Sequence, residues 1–407
     1  MKIYLVGGAV RDRLLGLSPT DLDYVVVGSS PQEMLDLGYK EVGADFPVFL
    51  HPETGEEYAL ARKEYKEGKG YKGFKCTFGP EVTLEEDLER RDLTINAMAE
   101  SVGTKTIEII DPFNGQEDLK KGIIRHTSDA FAEDPLRVLR AARFAARFSF
   151  VIDGSTRILM ERLVNSGELN ELTSERVWIE VEKALKDDNP TMFFKNLRMV
   201  GALKVILPEL ERLHNVPQPV KWHPEGDALT HTFIVLDNIC KVTKDPVVRF
   251  AALCHDLGKG LTAWEDLPSH PGHELKSADM VKNIAKRLKL PSEYKDLAYI
   301  SARFHLKVHK LKEMKPKKML KLLKQTDAFR KPKRFRQFLD VCYADACGKV
   351  KQQQEVFYDQ GEVLQTMLNA VNAIDNLSVI AGETRGHVIQ QLIHNAQLSA
   401  IRTISNK

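Results

Sequence analysis

Two carboxylates at the head of an apolar run constrain this chain more than any other feature. Asp21 and Asp23 flank one leucine, and Asp23 opens the run "DYVVV". Side chains two residues apart in a strand point to the same face, and carboxylates that close repel each other unless a cation lies between them. Mg²⁺ is usually held by one or two carboxylates together with substrate phosphates. The pattern therefore predicts a strand with Asp21 and Asp23 as Mg²⁺ ligands.

The segment before these aspartates, "GGAVRDRLLG" at 7–16, predicts a glycine turn that leads into a short helix. Backbone N–H groups at a helix N-terminus favour phosphate groups. We therefore expect Gly8 and Arg11 to bind the triphosphate of a nucleotide. The alternative to metal binding is that Asp21 is a turn residue and Asp23 a solvated strand end. The nearby glycines and arginine make this alternative the weaker interpretation.

Strand signals are confined to the first part of the chain. They occur at 23–27, 47–50, 56–61 and 106–110. Beyond about residue 134 the apolar spacing becomes helical. The chain is thus predicted to be α+β, with an N-terminal head that contains helices and a small mixed or antiparallel sheet, followed by an all-α remainder. The glycine- and lysine-rich segment 62–83 is predicted to be a mobile loop.

The composition is that of an ordinary soluble globular protein. The chain has 407 residues, of which 43% are hydrophobic and 29% charged, and we find no apolar run long enough to cross a bilayer. The five cysteines form no CxxC pair, which favours reduced thiols in a cytoplasmic protein. A membrane partner is therefore not expected.

The segment "EDPLRVLRAARF" at 133–144 predicts a helix with a second chemical role. Asp134 before Pro135 is a good helix start, and that structural role alone is one interpretation. In the other interpretation, Asp134 and Arg137 lie one helical turn apart, so that a carboxylate hydrogen-bond acceptor stands beside guanidinium donors. Cytosine and adenine both present an amino donor next to a ring-nitrogen acceptor, so this pair would accept C and A and reject G and U.

Four motifs stand in order in the first third of the chain. They are the glycine–aspartate segment, "EEDLERRDLTINAMA" at 85–99, "DPFNGQEDLKKGIIRH" at 111–126 and the E-D-x-x-R segment. Together they resemble the nucleotidyltransferase superfamily, in the branch of bacterial CCA-adding tRNA nucleotidyltransferases and poly(A) polymerases. The resemblance implies that CCA is added to the 3′ end of tRNA from CTP and ATP, by two-metal phosphoryl transfer and without a nucleic-acid template. Asp21 and Asp23 would be catalytic, with Arg91 and Arg140 reaching the triphosphate.

Poly(A) addition is the nearest alternative within this branch. Poly(A) polymerases usually carry a basic element after the aspartate strand, where this chain reads "VGADFPVFLHP" at 42–52. CCA addition is therefore favoured. An alternative of another class is an inactive nucleotide- or RNA-binding regulatory protein, and the complete set of motif residues argues against it.

Most of the twelve histidines lie in a second region, between His214 and His309. The segment "HDLGKG" contains His255 and Asp256 and resembles the HD superfamily of metal-dependent phosphohydrolases. An adjacent His and Asp with a His from the preceding helix, here His231, suits a divalent ion. Imidazole ligands favour a transition metal such as Ni²⁺ over Mg²⁺.

The HD resemblance implies further ligands and a second activity. His273 and His305 would hold a second metal or contact phosphate, and the last family aspartate is either Asp340 or Asp345. A metal-activated water attacking phosphorus fits such a ligand set. The implied activities are those of a phosphatase, a 2′-nucleotidase and a 2′,3′-cyclic phosphodiesterase.

The motifs divide the chain into four predicted domains. These are a nucleotidyltransferase head at 1–140, a helical neck with the base-recognition region at 141–213, an HD domain at 214–330 and a helical C-terminal region at 331–407. The segment from Arg303 to Arg336 is strongly basic, which favours contacts with the tRNA backbone. The chain is expected to be a monomer or a homodimer.

Overall fold

The computed structural model describes residues 1–19, 21–42, 47–66, 74–103, 106–348 and 357–405. The chain divides into two compact units. The first comprises Met1–Glu180 with Met192–Ile206, and the second comprises Val181–Thr191 with Leu207–Lys407. The four domain boundaries expected from the sequence stay a prediction.

The strands lie in the first unit. They are β1 Lys2–Val6, β2 Asp23–Val27, β3 Lys40–Glu41, β4 Val48–Leu50, β5 Glu57–Leu60, β6 Arg62–Lys66, β7 Phe74–Phe78, β8 Ala99–Ser101, β9 Ile109–Ile110, β10 Ile123–Ile124 and β11 Val151–Ile152. Seven of them form one sheet in the order β3-β4-β5-β2-β1-β8-β9. β2 and β5 run parallel and the other neighbours antiparallel, which confirms the α+β prediction with a small mixed sheet.

The β2 strand reads as an unbroken apolar run because both of its faces are covered. Val25 packs into a cluster with Val6 and Leu88 on one side of the sheet. Val26 packs on the other side in a cluster that includes Phe49. The middle of β2 is therefore buried on both faces. Asp23, the first residue of the strand, remains exposed.

Helices make up most of the rest. They are α1 Gly8–Leu14, α2 Pro31–Asp36, α3 Leu84–Glu89, α4 Gly115–Lys121, α5 Leu136–Phe148, α6 Gly154–Asn165, α7 Ser174–Lys186, α8 Pro190–Met199, α9 Leu203–Ile206, α10 Pro208–Glu211, α11 Ala228–Val242, α12 Pro246–Cys254, α13 His273–Arg287, α14 Ser292–His309, α15 Pro316–Gln325, α16 Pro332–Gly348, α17 Gln360–Asn372, α18 Asn376–Ile380 and α19 Gly386–Ser405. None of the described helices is both long enough and apolar enough to span a membrane.

The segment 62–83 differs from its prediction as a loop. β6 and β7 pair antiparallel there, with Arg62 opposite Phe78, and residues 67–73 of the predicted loop lie outside the described residues. The reason is visible in the sequence, since Phe74, Cys76 and Phe78 alternate with polar residues at the period of a strand. The glycines and lysines around them obscured that alternation.

Two candidate catalytic sites

Pairing of the first two strands brings the aspartate segment to the glycine turn. Asp23 lies opposite Val6 in the antiparallel β1–β2 register, and Val6 directly precedes Gly7. Asp23 is exposed at the start of β2, and Asp21, also exposed, lies two residues earlier in irregular backbone. The register therefore places Asp23 beside the turn, and only Asp23 of the two carboxylates belongs to the strand.

The glycine turn also receives an arginine from the R-R-D motif. Gly7 has φ of 71°, and a Cβ built there would come within 2.8 Å of Arg91 Nη1. A side chain at this position would meet both backbone strain and the guanidinium. Arg91 is held in place by Asp87, whose Oδ2 accepts a hydrogen bond from Arg91 Nη2 at 3.2 Å. Gly8, the residue after Gly7, is the first residue of α1.

A hydrogen-bond chain connects the two remaining arginines of the predicted phosphate site. Arg11 Nη1 donates to Asn96 Oδ1 at 2.6 Å, and Asn96 Nδ2 donates to Asp92 Oδ1 at 3.0 Å. The other oxygen of Asp92 accepts from Arg140 Nε at 2.7 Å. Burial would raise the pKa of Asp92, but the Arg140 charge and the Asn96 hydrogen bond lower the pKa to about 2. Asp92 therefore stays ionised and holds Arg140 at neutral pH.

The predicted base-reading pair has protein partners in this structure. Asp134 Oδ1 accepts from Leu136 N at 3.1 Å, as a helix-start residue does, and Asp134 Oδ2 accepts from Arg176 at 2.7 Å. Arg137 donates to the carbonyl oxygens of Ala130 and Arg90, both at 2.6 Å. Base reading by this pair would require a nucleotide to replace some of these contacts. Arg176 lies in none of the sequence motifs, and for that reason the sequence did not identify it.

The histidines of the second unit converge from separate helices. His231 lies in α11, His255 follows α12, His273 begins α13 and His305 lies in α14. All four are buried. The region between these helices is thus lined by imidazoles, although they are far apart in sequence.

Among the described residues, two groups of three side chains that contain the HD residues have ligand atoms close enough to hold metal ions. One comprises His231, His255 and Asp345, and the other comprises Asp256, His273 and His305. They adjoin each other, since His255 Nε2 lies 3.2 Å from Asp256 Oδ2. Each group supplies imidazole nitrogens and a carboxylate oxygen, a donor set that fits a divalent transition metal.

The hydrogen bonds of three histidines occupy Nδ1 of each ring and leave Nε2 for the candidate metal groups. The Nδ1 atoms of His255, His273 and His305 contact the backbone carbonyls of Ala252, His270 and Ser301 at 2.7, 2.7 and 3.0 Å. A carbonyl only accepts, so each Nδ1 carries a proton and each neutral ring keeps a lone pair on Nε2. The Nε2 atoms of His255 and His273 are buried without a hydrogen-bond partner. These orphaned atoms are what a metal site requires.

A lysine lies directly behind the HD aspartate. Lys259 Nζ is 2.6 Å from Asp256 Oδ2 and donates to Gln218 Oε1, also at 2.6 Å. Burial alone would raise the pKa of Asp256, but Lys259 and His255 lower it well below its usual value. Asp256 is therefore a carboxylate, as a metal ligand must be. Burial lowers the pKa of His305 to about 4 despite Asp256, which keeps that ring neutral.

The structure also separates the two candidates for the last HD aspartate. Asp345 is fully buried, with Oδ1 3.0 Å from His231 Nε2 and Oδ2 2.5 Å from His309 Nε2. Asp340, one turn and a half earlier in α16, lies 3.3 Å from Arg336 instead. Of the two aspartates, Asp345 is thus the one that lies in a group close enough to hold a metal ion. The sequence alone left the choice between Asp340 and Asp345 open.

Gly258 in "HDLGKG" provides the close approach that this cluster needs. A Cβ at Gly258 would lie 2.2 Å from the carbonyl oxygen of His273 and 2.6 Å from Ser277 N. We expect Gly258→Ala to displace the start of α13 and to lower the free energy of unfolding of the second unit by about 1–3 kcal/mol. Denaturant unfolding and metal binding measure the effect. Gly386→Ala, where a Cβ meets nothing within 4 Å, is the control and should resemble the wild type.

Three family models match successive parts of the chain. They describe a poly A polymerase head domain at residues 3–125, a probable RNA- and SrmB-binding site of polymerase A at 149–213, and an HD domain at 228–331. The aspartate–glycine site lies within the first match and the four histidines lie within the third. Asp345 lies beyond the matched residues, so only its position in the structure associates it with the cluster.

Relatives match the chain over nearly its full length. A protein of Nitrosococcus oceani is 50% identical over 402 residues, which cover 99% of this chain and 98% of the relative. Proteins of Haemophilus influenzae and Thioalkalivibrio sulfidiphilus are 48% and 49% identical, with the same coverage of both chains. All three are named multifunctional CCA protein.

Solved structures share the fold at lower identity. A CCA-adding enzyme with ATP gives a TM-score of 0.67 at 23% identity and covers 98% of this chain and 86% of that one. A CCA-adding enzyme with CTP gives 0.65 at 23%, over 98% and 87% of the two chains. A Thermotoga maritima CCA-adding enzyme complexed with tRNA gives 0.64 at 21%, over 100% and 88%. At these identities the likeness concerns the fold alone.

Proposed function

Because this chain belongs to the multifunctional CCA protein family, we propose that it adds CCA to the 3′ end of tRNA from CTP and ATP. The observation that carries this proposal is the β1–β2 register, which puts Asp23 opposite Val6 and therefore beside the Gly7 turn. Arg91 approaches the same turn. Carboxylates next to a triphosphate-binding turn are what phosphoryl transfer requires. No nucleic-acid template takes part in the addition.

Each candidate site residue of the head has a proposed role. Asp21 and Asp23 would hold Mg²⁺, and the ion would supply stabilisation of the charge on the transferred phosphoryl group. Gly8, Arg11, Arg91 and Arg140 bind the triphosphate, with Asp92 fixing Arg140 by its hydrogen bond. Asp134 and Arg137 accept the Watson–Crick edge of C or A once the nucleotide takes over contacts now made by protein groups.

The histidine cluster has a separate proposed activity, hydrolysis of phosphate and 2′,3′-cyclic phosphate ends. His231, His255 and Asp345 would hold one divalent ion, with Ni²⁺ the ion that best suits the imidazoles. Asp256, His273 and His305 would hold a second or contact phosphate. A metal held there would supply a water of lowered pKa as the nucleophile. Lys259 keeps Asp256 ionised.

Partners follow from the activity. We propose that the basic surface of α15 contacts the tRNA backbone, since this helix buries Met319, Leu320, Leu322 and Leu323 and leaves its lysines outward. Such contacts position RNA without reading its sequence. We further propose that the protein acts in the cytoplasm as a monomer or homodimer, which light scattering after size-exclusion chromatography distinguishes.

One experiment tests the first activity. We expect the protein to incorporate labelled CTP and then ATP into tRNA that lacks its 3′ CCA, and to leave labelled GTP and UTP unused. Asp21→Ala should lose the incorporation. Incorporation of ATP alone, in runs and independent of CTP, would instead assign the chain to poly(A) addition.

A further inference from the structure

Glu225 lies in the segment before α11 and contacts two histidines with a single oxygen. Its Oε1 accepts from His231 Nδ1 at 2.7 Å and from His223 Nδ1 at 2.9 Å. The side chain of Glu225 is only 8% exposed. Two such hydrogen bonds fix the position of the buried Glu225 carboxylate. None of the motifs considered above explains why a carboxylate lies there.

Glu225 sets His231 apart from the other histidines of the cluster. His255, His273 and His305 direct Nδ1 to backbone carbonyls, whereas His231 directs Nδ1 to a carboxylate. The Nε2 atom of His231 lies 3.0 Å from Asp345 Oδ1, on the metal side. A charged acceptor makes a stronger hydrogen bond than a carbonyl and raises the basicity of the opposite ring nitrogen.

His223, Glu225 and His231 also have ligand atoms close enough to hold an ion of their own. That arrangement would use His231 Nδ1 as a ligand while Nε2 serves the neighbouring group. A neutral imidazole has only one nitrogen lone pair available, so both uses together would require removal of the last ring proton. The three residues are therefore better explained as support for one metal position than as another.

We propose that Glu225 is a positioning residue that holds His231 in the Nδ1-protonated tautomer and points its Nε2 at the metal shared with His255 and Asp345. His223 fixes Glu225 by donating to the same oxygen. The proposal rests on the HD activity proposed above. Loss of a carboxylate partner of a metal-bound histidine typically lowers metal affinity about 10–100-fold.

The test compares Glu225→Ala and Glu225→Gln in the full chain. Ni²⁺ affinity is measured by competition with a chromophoric chelator, and kcat and KM are measured on 2′,3′-cyclic AMP. Glutamine keeps an accepting oxygen but not the charge, so its loss of Ni²⁺ affinity should be smaller than that of alanine. Glu182→Ala is the matched control, because Glu182 is a hydrogen-bonded carboxylate of the same unit that accepts from Tyr294 instead of a histidine.

We expect Glu225→Ala to weaken Ni²⁺ binding 10–100-fold and Glu182→Ala to leave it unchanged, with CCA addition retained in every variant as the measure of folding. Saturating Ni²⁺ should restore much of kcat to Glu225→Gln. Wild-type Ni²⁺ affinity in Glu225→Ala would overturn the proposal. If wild-type protein binds Ni²⁺ in a Glu225-dependent way but does not hydrolyse cyclic phosphate, the proposed hydrolysis fails and the positioning role stands.

Discussion

Asp23→Ala is expected to abolish nucleotide addition, with a fall in the rate of CTP incorporation of at least ~10³-fold. A metal ion at a transferring phosphoryl group stabilises the transition state by several kcal/mol, and each 1.36 kcal/mol corresponds to a factor of ten. Asp23 is exposed at the start of a strand whose remaining residues carry the packing, so the substitution removes a ligand without creating a cavity. Single-turnover incorporation into tRNA lacking CCA measures the loss.

The matched control for this variant is Asp36→Ala. Asp36 is an exposed carboxylate of the same unit, at the end of α2, where it accepts from Gln32 at 2.8 Å. It should add CCA at the wild-type rate. Hydrolysis of cyclic phosphate should persist in Asp23→Ala, because the histidine cluster shares no residue with the aspartate site. Incorporation by Asp23→Ala within tenfold of wild type would contradict the assignment of Asp23 as a metal ligand.

Asp345→Asn is expected to have the largest effect on the second activity. The residue is fully buried between His231 and His309, so the amide replaces a charged ligand with a neutral one in a site built around positive ions. We expect hydrolysis of 2′,3′-cyclic AMP to fall at least ~10²-fold, because several kcal/mol of metal-derived stabilisation depend on the ligand set. Ni²⁺ affinity should fall with it.

Asp340→Asn serves as the comparison on the same helix. Its carboxylate faces Arg336 at 3.3 Å, and loss of a partly exposed pair costs little, so hydrolysis and metal affinity should stay close to wild type. The reverse order, with Asp340→Asn inactive and Asp345→Asn active, would mean that the ligand group drawn from the structure is wrong. CCA addition by both variants and their melting temperatures report whether the chain still folds.

The strands show how much of the fold a sequence pattern carries. β2 Asp23–Val27 coincides with the predicted strand at 23–27. A run of β-branched residues of this kind indicates a buried strand without reference to the neighbouring strands. The predicted strand at 106–110 reduces to β9 Ile109–Ile110. The antiparallel strands β6 and β7 lie in a segment predicted to be a loop, because each strand becomes evident only when its alternation is matched with that of the other.

Local motifs placed most candidate residues, but their partners lie far away in sequence. Arg91 was identified from the R-R-D motif, whereas its position against the Gly7 turn depends on how two distant segments pack. Asp92 holds Arg140 across 48 positions of the chain. Neither contact has a signature at either residue, because an arginine and an aspartate are common surface residues in any sequence.

The sequence by itself determined the two kinds of chemistry. A carboxylate pair after a glycine turn, and a His-Asp pair with further histidines, have spacings that recur because metal and phosphate binding demand them. Only the tertiary structure decided which distant side chains complete each site. It brought Asp345 rather than Asp340 to His231, placed Glu225 on the other nitrogen of the same ring, and occupied Arg137 with carbonyl oxygens. Those choices depend on helix packing, in which residues far apart in the chain share one buried space.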